Sequence, residues 1–118
     1  MLRFSKPQQT KLADLGLDRF VEATRTHLAL HFPRLYGVRG ADKTRQWIRY
    51  GIEHAKTYDI VEGRDVRRFI DILYARGIGF EDKPEHAWMR KFLDQDERSG
   101  RWKMDRIQAF LLDDGKSH

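Results

Sequence analysis

The sequence predicts an all-α fold, an irregular compact bundle of about five helices in a single domain over residues 1–118. Three observations lead there. The stretch RDVRRFIDILYARG, Arg64 to Gly77, places Val66, Phe69, Ile70, Leu73 and Tyr74 at the i, i+3, i+4, i+7, i+8 spacing of one helix face, and Ile72 widens that face to about half the circumference. No segment shows the alternation of a strand, and no segment repeats. Most glycines and prolines fall between the apolar-periodic stretches, where helices start and stop.

The elements follow in chain order. Ser5 and Gln8 form the S-x-x-Q version of a capping box, and Pro7 is tolerated in a first turn, so a helix is predicted from near residue 6. Leu17, Phe20, Val21, Thr24 and Leu28 carry its buried face, extended backwards by Leu12 and Ala13 past a bend at Gly16, and Pro33 stops it. PRLYGVRGAD then reads as a connection, with Asp42 as the cap of a second helix ending near Thr57. Trp47, Ile48, Gly51, Ile52 and Ala55 form its inner face, Gly51 allowing a close helix contact.

The central helix begins after DIVEG, with Asp65 favourably placed in its first turn, and Gly77 ends it. Its outer face of Arg64, Arg67, Arg68 and Asp71 reads as solvated, Asp71 meeting an arginine one turn away. GIGFEDKPEHAW is a turn, and Pro84 starts a fourth helix carrying Ala87, Trp88, Phe92 and Leu93. After a polar loop at residues 95–100, a fifth helix over about residues 101–112 turns Trp102, Ile107, Phe110 and Leu111 inward, before a frayed tail from about residue 113.

Composition bounds the chemistry. There is no cysteine, which excludes disulfides, thiolate metal sites and cysteine nucleophiles. The N-terminal MLRFSKPQQTK has no apolar run of signal-peptide length, and no stretch approaches the ~20 apolar residues of a membrane span, so a cytoplasmic location is expected. The net charge of +5 is uneven: residues 1–60 carry 11 basic and 6 acidic side chains, residues 61–118 carry 12 of each. The excess is densest at Arg34, Arg39, Lys43, Arg45 and Arg49, among which Asp42 is the one acid in sequence, and such a patch steers nucleic acid or an acidic protein surface.

No reaction is legible. Ser5, Ser99 and Ser117 are a cap, a loop residue and a tail residue, with no G-x-S-x-G elbow. His27 and His31 share one side of a helix end but lack a third ligand nearby, so no metal and no cofactor is expected. Asp82, Glu85, His86 and Asp94 cluster in one region, as the many acids of a small helical chain will by chance. The second and central helices imitate a helix-turn-helix, but the candidate recognition helix is the most apolar of the chain, which favours core over groove.

Residues 48–93 carry a resemblance: Gly51, Ala55, Tyr58 and Ile60, then Asp65-Val66 with Phe69, then Phe80, Asp82, Pro84, Trp88 and Leu93. On these residues, and on His31 to Pro33, the chain resembles an uncharacterised family of small bacterial proteins encoded beside spike and effector genes of type VI secretion systems. Similar sequences place a serine before the central helix where this chain has Glu62, a poorer cap. The resemblance implies a non-enzymatic, protein-binding role: an adaptor or chaperone for an effector or spike protein, or an immunity protein neutralising a toxin, with a basic nucleic-acid-binding regulator as the competing reading. The expected partner-binding residues are Arg39, Lys43, Arg45 and Arg49 in the basic patch, and Phe80, Asp82 and Trp88 around the turn.

Overall fold

The computed structural model describes the backbone of residues 15–117 and the side chains of residues 16–112. Among the described residues it is all-α, with five α-helices, two short 3₁₀ turns and no strand. It divides into two compact units, Met1–Arg49 and Tyr50–His118.

The first unit holds α1 (Leu15–His31) and the greater part of α2 (Pro33–Lys56). The predicted cap at Ser5, Pro7 and Gln8, and the extension through Leu12 and Ala13, lie outside the described residues. The predicted face of α1 is the one turned inward: Val21, Thr24 and Leu28 are buried, and Leu17 and Phe20 are half-buried.

PRLYGVRGAD is not the predicted connection. Phe32 N–H donates to the Leu28 carbonyl at 2.8 Å and closes α1, Pro33 opens α2 at once, and Tyr36 N–H donates to the Phe32 carbonyl at 2.9 Å. Proline is suited to a first helical position because the N–H it lacks has no intrahelical partner there. The break comes later, at Gly40, whose φ of 83° and ψ of 170° interrupt α2. Asp42 lies just after that break and accepts from Arg45 one turn on.

The second unit begins in α2 at Tyr50, where Gly51, Ile52 and Ala55 are buried. The chain leaves α2 through Asp59, a non-glycine residue at φ 61°, and Ile60 N–H reaches back to the Ala55 carbonyl at 3.0 Å. α3 (Gly63–Arg76) buries Val66, Phe69, Ile70, Leu73 and Tyr74 as its periodicity requires. Each such side chain contributes about 1.5–3 kcal/mol when taken from water. The close contact expected at Gly51 is present: a Cβ there would stand 2.7 Å from Ile70 Cγ1 and 3.1 Å from Leu73 Cδ2.

Glu62 precedes α3 without a side-chain cap, and Gly77 ends it with its N–H on the Leu73 carbonyl. The polar face of α3 is less solvated than its composition suggested. Asp65 is 3% exposed and accepts from Arg68 at 2.7 Å, while Arg68 also donates to Asp105 at 2.9 Å and Gln108 at 2.8 Å. The arginine thus ties α3 to the last helix.

Pro84 starts a 3₁₀ turn, Pro84–His86, that follows another at Phe80–Asp82, and α4 is the short Ala87–Leu93. The last helix, α5 (Gly100–Ser117), extends beyond the predicted range at both ends. Ser99 accounts for the early start, since its Oγ accepts from Trp102 N–H at 3.1 Å as an N-cap. At Gly100 a Cβ would come 3.0 Å from Ile60 Cα and 3.1 Å from the Asp59 oxygen, so α5 begins against backbone.

Candidate partner-binding surfaces

The basic patch lies in the first unit and is not the open cluster of cations that the sequence suggested. α1 brings up two carboxylates from a distant part of the chain. Glu22 accepts from Arg45 at 2.7 Å and from Arg25 at 2.9 Å, and Arg25 also donates to the Tyr36 hydroxyl at 2.9 Å. Arg45 holds Asp42 as well, at 2.8 Å, and Arg49 reaches Asp18 at 3.4 Å. The hydrogen bonds from Arg45 and then Arg25 hold the Glu22 carboxyl down at about 2, so it stays ionised across the physiological range. Arg39 lies over the Trp47 ring at 4.0 Å from its centre, and Lys43 is exposed. The ion pairs among these contacts are solvent-exposed and add little to stability, but they return negative charge to the patch.

The other predicted residues lie in the second unit and separate into three roles. Phe80 is 1% exposed and packs on Phe69 with ring centres 5.6 Å apart, so it is a core residue that no partner reaches in this conformation, which corrects its assignment to an interface. Asp82 is exposed and pairs with Arg90 at 2.5 Å, which also holds Asp94 at 3.3 Å. Trp88 is half-buried, with its ring stacked on Phe110 at 4.4 Å and 18°.

That last contact shows a surface the sequence reading missed. Phe110, assigned inward, is 47% exposed. Phe92 meets Trp88, Trp102 and Phe110 at ring-centre distances of 6.4, 6.0 and 6.3 Å, so four aromatic rings join α4 to α5. Arg98 and Arg106 lean on Trp102 at 4.7 and 5.4 Å from its ring centre. Trp102, Arg106 and Phe110 repeat at i, i+4, i+8 beside the Met104, Ile107 and Leu111 stripe. This is a second helical face, legible in the sequence but absorbed there into the core.

A polar cluster beside the Phe80 turn was also missed. Glu81, 2% exposed, accepts from His54 Nε2 and, at 2.8 Å, from the Tyr58 hydroxyl, both on Oε2. Its Oε1 is buried with no hydrogen-bond partner. Burial pushes the Glu81 carboxyl up, but the hydrogen bonds from His54, the backbone and Tyr58 outweigh it and hold it below the usual carboxylate value. Burial and then the same carboxylate push the Tyr58 phenol above its ordinary range. His54 lies 5.4 Å from Tyr50 and 5.9 Å from Phe69, ring centre to ring centre. The cluster ties the end of α2 to the Phe80–Asp82 turn.

The remaining chemical candidates resolve locally. Of the suspected acid–base group, His86 Nδ1 bonds the Phe80 carbonyl at 2.9 Å, Asp82 and Asp94 share Arg90, and Glu85 is exposed. His27 and His31 have ring centres 4.3 Å apart, and among the described residues no group of three or more His, Asp or Glu could hold a metal. No helix is long and apolar enough to cross a membrane among the described residues. The chain matches no family model, no curated protein and no solved structure.

Proposed function

We propose that this protein is a non-enzymatic, protein-binding accessory factor, and that within this class it is an adaptor or chaperone for a type VI secretion effector or spike component. The observation that carries the binding role is the aromatic and arginine face of α4 and α5. Tryptophan, phenylalanine and arginine are the residues that interfaces concentrate, and a half-exposed Phe110 stacked on Trp88 is a rigid apolar anchor held ready in the free protein. The narrower assignment rests on the resemblance carried by residues 48–93. An immunity role uses the same class of surface and differs in its biology. A nucleic-acid regulator is disfavoured because Arg45 and Arg49 already hold carboxylates of their own chain.

The test is affinity capture of the tagged protein from nuclease-treated lysate of its source organism, with bound proteins identified and residual nucleic acid read by absorbance. The expected result is one effector or spike protein at near-equal stoichiometry. Nucleic acid with no protein partner overturns the reading. A toxin partner whose producing cells survive only when this protein is present assigns the immunity role in place of the adaptor role.

A further inference from the structure

We infer that the α4–α5 face recognises a short acidic peptide segment of the partner, with an apolar side chain seated beside Phe110 and carboxylates held by Arg98 and Arg106; this rests on the protein-binding reading. Two other arginines of the second unit are used internally. Arg68 is committed to Asp65 and Asp105, and Arg90 to Asp82 and Asp94. Arg98 and Arg106 have no carboxylate partner among the described residues and are exposed, their guanidinium groups set against Trp102. An arginine resting on an aromatic ring has lost part of its rotational freedom already, and its planar fork suits a carboxylate bidentately. Two such forks against Trp102, with a half-exposed Phe110 one turn beyond Arg106 on α5, match a segment that mixes acidic and apolar side chains.

The surrounding charge selects a peptide over a polyphosphate. Residues 61–118 have no net charge, and Asp96 and Glu97 are exposed in the loop that leads to Arg98. A nucleic-acid strand needs a continuous positive track, which these acids interrupt. A peptide with a few carboxylates can meet the two arginines and leave the acids in water.

The probe is a fluorescein-labelled peptide Glu-Glu-Phe-Asp-Glu-Phe-Glu, titrated by anisotropy with the full chain, alongside its uncharged counterpart Gln-Gln-Phe-Asn-Gln-Phe-Gln and an oligothymidine. The acidic peptide is expected to bind at least about tenfold more tightly than the uncharged one. An Arg98→Ala, Arg106→Ala double variant should lose that preference, an Arg98→Lys, Arg106→Lys double variant should keep part of it, and Arg64→Ala on α3 should leave it unchanged. Equal binding of the two peptides, tighter binding of oligothymidine, or an unaltered preference in the alanine double variant each overturns the inference. The comparison between peptides requires no mutation, so it stands even where a variant misfolds. Lysate capture run in parallel separates the two levels. If the alanine double variant captures the natural partner as well as the parent chain does, only this location fails; if the parent captures no protein, the binding role itself fails.

Discussion

Lys103 is completely buried and donates its ammonium to the main-chain oxygen of Tyr58 at 2.7 Å. The contact joins α5 to the last turn beyond α2, where the Tyr58 oxygen has passed the end of the helical ladder. Lys103→Ala removes both the bond and the volume of the stem, so a loss of about 3 kcal/mol is expected in urea unfolding. Lys103→Met keeps most of the volume and should lose about half as much. An alanine variant as stable as the parent would show that the buried ammonium costs as much as its bond returns.

Gly100 offers a sharper steric test. A methyl group there meets the Ile60 and Asp59 backbone, which cannot rotate away, so Gly100→Ala should lower stability by about 1–3 kcal/mol despite the better helix propensity of alanine. Differential scanning calorimetry reads the outcome, and an unchanged or higher melting temperature contradicts the close packing.

The Asp65–Arg68–Asp105 network should be strongly non-additive. Arg68→Ala leaves a buried carboxylate without its cation, and about 3 kcal/mol is the expected cost. Asp65→Ala added to Arg68→Ala should cost much less than the two separate changes combined, a coupling that a double-mutant cycle in urea measures.

Glu81 contributes to the acid limb of stability. Its folded carboxyl lies below the ordinary value of 4.5, so it contributes stability that is fully present above that value and is lost as pH falls through the lower, folded value. Glu81→Gln should therefore be less stable than the parent at neutral pH and should lose less on going to about pH 3. Unfolding midpoints measured across that range give the two slopes. Parallel slopes would remove Glu81 from the account.

Much of the fold was legible because it is local. The face of α3 and the inward residues of α1 are periodic over a few turns, and a helix stop before Pro33 needs only the geometry of proline. The errors came where one local signal has two meanings or where the partner is distant. Proline and two glycines in PRLYGVRGAD suggest a loop, yet Pro33 opens a helix that only Gly40 interrupts. Arg68 read as part of a solvated face because Asp105, which it holds, is 37 residues further along the chain. At the candidate surfaces, Trp88 was found but its stacking partner Phe110 was assigned inward, since an aromatic on the flank of a buried stripe has the same spacing as one at its centre.

Glu22, placed between Arg25 and Arg45, changes what any ligand of that arginine cluster must do. An incoming phosphate or carboxylate does not meet bare cations; it has to displace an acid already tethered to the same molecule, so association there is an exchange of partners. Unpairing Glu22 offsets part of what the new contact contributes, so the cluster holds an anion less tightly than the same arginines would if they were unpaired. The number of arginines in the cluster therefore overstates how strongly it can hold a polyanion.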